Sequence, residues 1–212
     1  MNYILGMKNR RDRKKAQTRA ALLAAAHGML IDVGLEATTI TAVAQAADVA
    51  TGTVYNYFPS KDALLFGVWS EAAAGILLTA DGTLAKAGPS FVDQCTALLS
   101  LFCESVTVFP APLAKELFAS TFSVPPELFG QYVSVDRELM ARLGELLSAW
   151  RAQGKLAQDM SIELASGLLY GIAVTQMMTL MVLPGFTLEQ ARAAIRQHVL
   201  LAFHGLAATE ES

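Results

Sequence analysis

Residues 38–65 read TTITAVAQAADVATGTVYNYFPSKDALL, and this stretch is the most informative part of the chain. From Ile40 onward, apolar side chains recur at i, i+3, i+4 and i+7, which predicts a helix with Thr39 as its N-cap. Residues 48–50 predict a tight turn, and residues 51–58 predict a second short helix. Two short helices joined by a tight turn are the core of a helix-turn-helix.

The sequence on either side completes this unit. An apolar repeat at three- and four-residue spacing predicts a preceding helix over residues 15–33, which Gly34 would end. On the other side, Pro59 ends the second short helix, and Ser60 is placed to cap the helix that follows. Three helices with a tight turn between the last two predict a helix-turn-helix domain over residues 15–60.

The same residues resemble the DNA-binding segment of the TetR family of repressors. The match includes Val-Ala-Gln at 43–45, Gly-Thr-Val-Tyr at 52–55 and Tyr-Phe-Pro-Ser-Lys-Asp-Ala-Leu at 57–64. It departs at Asp48, where the family often has glycine, although aspartate also tolerates turn geometry. The resemblance covers the N-terminal quarter in detail. It implies an all-α protein with an N-terminal three-helix helix-turn-helix and a larger helical domain for ligand binding and dimerisation.

The resemblance also implies a function. The expected protein is a cytoplasmic, homodimeric repressor that binds a roughly palindromic DNA operator in a sequence-specific manner. A small apolar effector would release it from the operator, and neither a cofactor nor a membrane partner is expected. Activation at some targets, or binding along DNA without sequence preference, stays open because the sequence gives neither the operator nor the effector.

Eight residues are candidates for contact with DNA: Thr41, Thr51, Gly52, Thr53, Tyr55, Asn56, Tyr57 and Lys61. Val54 and Phe58 are predicted to point inward. The rotation of about 100° per residue then places Gly52, Thr53, Asn56 and Tyr57 on the outer side of the second short helix, with Tyr55 at its flank. Hydroxyl and amide groups there can hydrogen-bond base edges or phosphate oxygens. By the resemblance, Lys61 is a phosphate clamp. The alternative interpretation is that these polar side chains only solvate the helix.

The charge of the chain is divided unevenly. Residues 1–62 carry eight Lys or Arg and five Asp or Glu, a balance of +3, whereas residues 63–212 carry eight and fourteen, a balance of −6. Much of the positive charge lies in KNRRDRKKAQTR at 8–19. A basic front and an acidic rear predict contact with nucleic acid at one end only, with residues 1–14 as a flexible basic arm. The alternative is that the arm is merely a solvated terminus.

Residues 61–212 show helical periodicity and no strand alternation of any length, so this part is also predicted to be all-α. Ser90 and Thr187 are predicted N-caps, each followed three residues later by a side chain that can bond back. Gly154 is predicted to end a long helix. The region is interpreted as the effector-binding and dimerisation domain.

Large apolar and aromatic side chains of this region are candidates for an effector pocket. The candidates are Phe102, Phe109, Phe118, Phe122, Phe129, Tyr132, Tyr170 and Met177. Pockets for small ligands are lined mainly by such side chains, with a few polar groups that fix orientation. Ordinary core packing explains each of them equally well when it is considered alone.

The uncharged segment 164–184, LASGLLYGIAVTQMMTLMVLP, supports an alternative function. It is about long enough to span a bilayer as a helix, which would make the protein a membrane-tethered DNA-binding regulator. Its internal polar residues and the lack of a flanking Lys/Arg cluster instead favour burial inside an oligomer. The last two predicted helices resemble the dimerisation pair of the TetR family, which explains the segment without a membrane.

Catalytic and metal-binding functions find little support in the sequence. No nucleophile–base pair, paired carboxylates or phosphate-binding loop is recognisable, so an enzyme is not expected. The three histidines, His27, His198 and His204, are far apart in sequence, and no metal site is expected. Cys95 and Cys103 are predicted to be reduced core residues, because a helix would hold them about 12 Å apart.

Overall fold

A computed structural model describes residues 10–123 and 134–206, and throughout these residues the structure is helical, without a strand. The helices are α1 (Arg10–Asp32), α2 (Gly34–Ala37), α3 (Ile40–Ala46), α4 (Thr51–Tyr55), α5 (Lys61–Leu77), α6 (Ala80–Lys86), α7 (Phe91–Glu104), α8 (Ala111–Ser120), α9 (Ser134–Ala152), α10 (Ile162–Val182) and α11 (Leu188–Leu206). Short 3₁₀ turns follow α7 and α8. The predicted all-α class is confirmed.

The chain forms two compact units. The first comprises Met1–Glu71 with Glu116–Pro126, and the second comprises Ala72–Lys115 with Glu127–Ser212. The division therefore falls within α5. The domains expected from the sequence, at 1–14, 15–60 and 61–212, are defined by function rather than by compactness, and this division stays a prediction.

The predicted N-caps are present where the sequence placed them. The Thr39 hydroxyl oxygen accepts from the Ala42 N–H at 3.2 Å, and Ser60 Oγ accepts from the Ala63 N–H at 3.1 Å. Ser90 Oγ likewise accepts from the N–H three residues on at 3.1 Å. At Thr187 the bonding is reciprocal, because Gln190 Oε1 accepts from the Thr187 N–H at 2.8 Å. These bonds satisfy N–H groups that a helix start leaves free.

Two helices differ in length from the prediction. α1 begins at Arg10, five residues earlier than expected, because Arg and Lys are good helix formers and Asp12 lies favourably in the first turn. α4 ends at Tyr55 rather than at residue 58. The Tyr57 N–H bonds to the Val54 carbonyl three residues back at 2.9 Å, which tightens the chain into a turn before Pro59.

The core of the first unit is formed by α1, α3 and the inward-facing residues of α4 and the turn after it. Leu22, Leu23, Ala26 and Leu30 of α1 are buried, as are Ile40, Val43 and Ala44 of α3. Val54 and Phe58 have no exposed surface, so their predicted inward orientation is confirmed. Gly67 of α5 lies against Phe58 and Leu23: a Cβ atom there would be 2.8 Å from Phe58 Cε1 and 3.1 Å from Leu23 Cδ2.

Helix α7 lies at the centre of the second unit, where it contacts α6, α9, α10 and α11. Nine of its fourteen side chains are buried. Cys95 and Cys103 are among them and are free thiols, as predicted. Burial, with a smaller contribution from the neighbouring Glu104, raises the pKa of the Cys103 thiol to about 12. Among the described residues, no group of His, Cys, Asp and Glu is placed to hold a metal ion.

Three helical stretches of the described chain are long and apolar enough to cross a membrane, judged by length and composition alone. They are Lys61–Lys86, Phe91–Val108 and Ile162–Val182. The last contains most of the segment that suggested a membrane anchor. One side of this helix is nevertheless buried within the second unit, through Ala165, Leu169, Ala173 and Met177 among others.

Candidate nucleic-acid interface

The turn between α3 and α4 depends on Asp48. Its φ is +52°, in the left-handed region that few side chains adopt, and aspartate is one of the few that enter it readily. The turn is held by main-chain bonds, with the Asp48 N–H on the Gln45 carbonyl at 3.1 Å and the Val49 N–H on the Ala44 carbonyl at 2.9 Å. The departure from the family's glycine at this position therefore leaves the turn intact.

The side chain of Arg19 covers Phe58, which is buried just after α4. The Arg19 guanidinium lies over the Phe58 ring, 5.5 Å from its centroid, and is 3.6 Å from the Glu71 carboxylate. Arg19 belongs to the basic run of the sequence, but here it packs against the structure rather than extending from it. The residues of the basic run at 8–19 therefore do not all have the same role.

The candidate DNA-contact residues share one surface property: none is buried. Thr41, Gly52, Tyr55 and Asn56 are exposed, and Thr51, Thr53, Tyr57 and Lys61 are half-buried. Tyr55, expected at the flank of the helix, is 53% exposed, more than Tyr57, which was expected to point outward. The reason is that α4 ends at Tyr55, so the helical rotation does not continue to residue 57.

Six of these side chains lack hydrogen-bond partners in the part of the chain that the structure describes. They are Thr41, Thr51, Thr53, Tyr55, Asn56 and Tyr57. Neighbouring polar residues behave differently, since Thr39 and Ser60 cap helices and the Thr38 hydroxyl donates to the Gly34 carbonyl at 2.7 Å. The unpaired donors and acceptors are thus concentrated on α3, α4 and the turn that follows α4.

Lys61 makes a contact that the sequence did not predict. Its Nζ donates to the Leu35 carbonyl in α2 at 2.7 Å. An ammonium group has three donors, so this bond leaves two for a phosphate oxygen. Lys61 therefore connects the start of α5 to α2, and a role as a phosphate clamp stays a prediction. No sequence signal pointed to this contact, because α2 is a single turn without an apolar repeat.

Gln45 is a polar residue that the sequence interpretation overlooked. It is exposed on α3, one helical turn after Thr41, so the two lie on the same face. Its amide could contact DNA in the same way as the hydroxyl of Thr41. The i, i+4 spacing from Thr41 is the signal that would have found it.

The basic run precedes this surface. Arg10, Arg11, Arg13, Lys14 and Lys15 are all exposed and all lie in the first two turns of α1. Part of the expected arm is therefore helical, whereas residues 1–9 lie outside the described chain. Residues 10–15 carry five positive charges against Asp12, which makes the start of α1 strongly basic.

The candidate effector residues divide between the two units. In the first unit, the Phe118 and Phe122 rings are 5.6 Å apart, and Phe118 also lies 6.3 Å from the Trp69 ring. Phe122 is 78% exposed, which differs from a pocket lining. Phe129 and Tyr132 lie outside the described residues, so the structure bears on only six of the eight candidates.

In the second unit, Phe102 and Tyr170 are brought together, with ring centroids 5.7 Å apart. Phe109 and Met177 are buried there, at 3% and 5% exposure. The Tyr170 hydroxyl donates to Asp136 Oδ1 at 2.6 Å, a polar contact between α9 and α10 that the sequence did not indicate. Burial raises the pKa of the Asp136 carboxyl, and the hydrogen bond from Tyr170 partly opposes that change.

Sequence comparison identifies the family. Residues 22–68, which span the packed part of the helix-turn-helix, match the family described as bacterial regulatory proteins, tetR family. Residues 22–68 are therefore similar to the helix-turn-helix segment of the tetR family. This TetR family is a family of regulators rather than of enzymes. The recognised resemblance and its helix-turn-helix character are thereby confirmed.

Known proteins resemble the chain both locally and along most of its length. The HTH-type transcriptional repressor KstR of Mycolicibacterium smegmatis is 48% identical over 61 residues, 29% of this chain and 28% of that protein. The HTH-type transcriptional regulator YdeS of Bacillus subtilis is 27% identical over 169 residues, 78% of this chain and 81% of that protein. The higher of these two identities is therefore confined to a short stretch of the chain.

Solved structures share the fold over most of the chain. FadR from Bacillus subtilis in complex with stearoyl-CoA has a TM-score of 0.65 at 16% identity, covering 88% of this chain and 98% of that one. Thermus thermophilus FadR, a TetR-family transcriptional repressor in complex with lauroyl-CoA, has a TM-score of 0.63 at 25% identity and covers 91% and 97%. The TetR-family arrangement of a helix-turn-helix followed by a larger helical domain therefore applies here.

Proposed function

We propose that the protein is a homodimeric, cytoplasmic transcriptional repressor that binds a roughly palindromic DNA operator through α3 and α4. A small apolar effector bound in the second unit releases it. The observation that carries the proposal is the group of six unpaired polar side chains on α3, α4 and the following turn. A polar surface without internal partners is suited to bonding with an external one.

On this proposal the candidate residues have different tasks. Tyr55 and Asn56, exposed at the end of α4, reach base edges or the backbone, and exposed Gly52 lets the DNA backbone approach closely. Thr41 on α3 contacts phosphate oxygens, and Lys61 uses its two remaining donors for the same purpose. Phosphate contacts fix the position of the protein, and base contacts select the sequence.

An exposed stripe on α10 supports the dimer. The stripe contains Leu164, Leu168, Gly171, Thr175, Met178 and Val182, all of them exposed. The steps between them are 4, 3, 4, 3 and 4 residues, so they share one face of the helix. Large apolar side chains on one exposed face are typical of surfaces that bind another protein. A second copy of the chain would bury them.

The neighbouring helix offers a matching face. On α11, Ala193, Gln197, Leu201 and His204 are exposed at four- and three-residue spacing. Leu201 is 72% exposed, more than a single large apolar residue in a core helix would be. Two such helices from each chain would form a four-helix bundle across a two-fold axis, with the same surface used on both sides.

The effector site is proposed near Phe102 and Tyr170. These rings contact each other within the second unit, and the Asp136 carboxylate on Tyr170 supplies a polar group beside them. Apolar walls with a few polar groups are typical of small-ligand sites. The FadR structures hold stearoyl-CoA and lauroyl-CoA, both with long apolar chains, which supports an apolar effector here.

The direct test measures binding to the DNA upstream of the protein's own gene. Asn56→Ala is expected to weaken binding to the protected sequence by about tenfold, the effect of losing one good base contact. Gln153→Ala, another exposed amide at the end of α9, is the matched control and is expected to leave affinity unchanged. Wild-type protein that protects no sequence, or an Asn56→Ala variant that binds as tightly as wild type, would contradict the proposal.

The dimer has its own test. Leu168→Glu is expected to give a monomer in light scattering and weak operator binding. The reason is that the carboxylate would be buried in the proposed dimer interface. Leu78→Glu is the matched control, since Leu78 is 83% exposed but lies outside the stripe. A wild-type protein that is a soluble monomer at micromolar concentration would exclude the dimer. Fractionation with membranes and a need for detergent would instead support the membrane-tethered regulator.

A further inference from the structure

An open groove lies on the surface of the second unit, and neither residue of the aromatic pair described above lines it. Its volume is about 400 Å³, and it lies between the end of α6, one face of α7 and the first half of α11. Thr96, Ala97 and Ser100 of α7 form its floor. These three side chains are small, so the groove is open enough to admit a ligand.

The walls of the groove carry charges of both signs, with a small positive excess. Lys86, Arg192 and Arg196 line it together with two acids, Asp93 and Glu104, a balance of +1. Residues 63–212 as a whole carry eight basic and fourteen acidic residues. Three of those eight basic residues therefore meet at one groove in an otherwise acidic part of the chain.

The two arginines are neighbours on α11. They are four residues apart, so their side chains leave the helix on the same face, one turn apart. Arg196 Nη1 is 2.6 Å from Asp93 Oδ1, and Arg192 Nη2 pairs with Glu104. Each guanidinium uses one N–H in these pairs, and both side chains are about half exposed, at 52% and 49%. Several N–H donors of each fork are thus available to a further acceptor.

The two acidic residues of the groove, Asp93 and Glu104, have different hydrogen-bond and ion-pair partners. Asp93 Oδ2 accepts from the Ser90 hydroxyl at 2.6 Å at the start of α7, and these contacts hold its pKa below the ordinary value. The Glu104 carboxylate forms an ion pair with Arg192, and no second ion pair of this carboxylate is found among the described residues. Lys86 is exposed and has no ion-pair partner within the described chain. Removing the Glu104 charge would therefore free a guanidinium without disturbing the cap.

The floor contains an unsatisfied donor. Thr96 Oγ1 is buried and has no hydrogen-bond partner among the described residues. Thr96 itself lines the groove, so its hydroxyl is a candidate donor to an anionic oxygen there. Hydroxyl, ammonium and guanidinium donors together are the groups that proteins use to hold phosphate.

We propose that this groove binds a phosphate-bearing small molecule, with Arg192 and Arg196 as the principal contacts and Lys86 as a third. The proposal does not depend on DNA binding or on the apolar effector, because neither the α4 surface nor the Phe102–Tyr170 pair lines the groove. Phosphate oxygens bridge two guanidinium forks, and a diphosphate spans them better than a single phosphate.

The test is calorimetry on the full chain in phosphate-free buffer, with ionic strength held constant by potassium chloride. The probes are inorganic phosphate, pyrophosphate and ADP. Binding of one molecule per chain is expected, with pyrophosphate tighter than phosphate. ADP tighter than pyrophosphate would identify a nucleotide ligand, and equal affinities would identify the phosphate groups alone. No heat of binding from any probe up to about 10 mM, the range of weakest specific binding, would overturn the proposal.

Variants separate a ligand site from ordinary surface ion pairs. Arg192→Gln and Arg196→Gln are each expected to weaken pyrophosphate binding about tenfold. Glu104→Gln is expected to tighten it, because the competing carboxylate is removed. Arg142→Gln is the control, since Arg142 pairs with Asp81 and Glu138 outside the groove and should change nothing.

Opposite signs for Arg192→Gln and Glu104→Gln are the decisive result. If the two residues served only to hold α7 against α11, both changes would act alike and binding would not respond to either. Lys86→Gln, expected to weaken binding a few-fold, serves where an arginine variant loses its helical circular dichroism, because Lys86 has no ion pair to lose. An unchanged Lys86→Gln together with an unchanged Arg196→Gln would also overturn the site.

Discussion

Helices α4 and α7 differ in whether their polar side chains have hydrogen-bond partners within the protein. α4 has five residues, buries one side chain, Val54, and leaves its hydroxyl groups without protein partners. α7 has fourteen residues and buries nine side chains. Its Ser100 hydroxyl, buried like its neighbours, donates to the Thr96 carbonyl at 2.6 Å. A buried polar group without a partner costs about 1–3 kcal/mol, whereas an exposed one bonds to water.

The difference separates a recognition surface from a core. On α4, water satisfies the polar groups until DNA replaces it, so the unpaired state carries no penalty for folding. On α7 the same chemistry must be satisfied internally, and the exception, Thr96 Oγ1, lies in the floor of the charged groove. Unpaired polar atoms are thus found both on the proposed DNA-binding surface and in the lining of the charged groove.

The largest effect is expected from disrupting the core around Phe58, just after α4, without changing the exposed side chains of α4. Gly67→Val would place side-chain atoms against Phe58 and Leu23, and overpacking of this kind lowers the free energy of unfolding by about 2–3 kcal/mol. Operator affinity should fall as well. Chemical denaturation followed by circular dichroism measures the first, and a gel-shift titration the second.

Gly75→Val is the matched control for that change. Gly75 lies on the same helix, α5, and a Cβ atom there meets nothing within 4 Å. Both substitutions alter helix propensity equally, so their difference isolates the packing against Phe58. Equal stabilities of the two variants would mean that α4 does not depend on this contact.

An intermediate effect is expected at Lys61, which makes a hydrogen bond within the protein and is also a proposed DNA contact. Lys61→Ala removes the bond to the Leu35 carbonyl, worth about 1 kcal/mol of stability, and a proposed phosphate contact. It should weaken binding to all DNA sequences alike and reduce the salt dependence of log K by about one unit. Titrations at several salt concentrations measure this slope. An unchanged slope with reduced stability would leave Lys61 with its structural role alone.

A smaller effect is expected from the buried carboxyl in the second unit. Burial raises the pKa of Asp136 above the ordinary value of 3.8, so the unfolded chain loses this proton at lower pH than the folded one. The free energy of unfolding should therefore decline as pH rises from about 3.8 through the raised pKa. Asp136→Asn removes that part of the decline. Urea denaturation across this pH range tests it, and parallel curves for the two proteins would refute it.

The smallest effect is expected on α7, where no reaction should occur. With the pKa of Cys103 at about 12, its thiolate is scarce at pH 8, and the side chain has no exposed surface. A thiol reagent should therefore label neither cysteine in the native protein and both after denaturation. Rapid labelling of the native chain would show that the core of α7 opens easily.

The sequence predicted the helix-turn-helix well for a physical reason. Its signals are local: Thr39 and Ser60 cap helices three residues away, and Asp48 forms a turn from its own backbone. The all-α class follows from periodicity in the same way. Even here, the end of α4 was misplaced by three residues, because a tightened last turn has no distinctive residue pattern.

Long-range contacts were beyond the same reasoning. The bond from Lys61 to Leu35 spans 26 residues, and the pair Tyr170–Asp136 spans 34. Arg196 and Asp93 are separated by 103 residues, so no spacing rule could bring the charged groove together. The aromatic residues of the second half were recognisable as apolar, but their division between two units depends on packing that the sequence does not display.

The stripe on α10 also has a shape. Along about 27 Å of helix, its side chains are large at both ends and small in the middle, where Gly171 and Thr175 lie. Two identical helices related by a two-fold axis approach most closely where their side chains are smallest. In the proposed dimer the axis would therefore pass beside residue 173, with Gly171 facing Thr175 of the partner subunit and Leu168 facing Met178 of the partner subunit. The two helices would cross there as an X, and the bulkier ends would fill the space where they diverge.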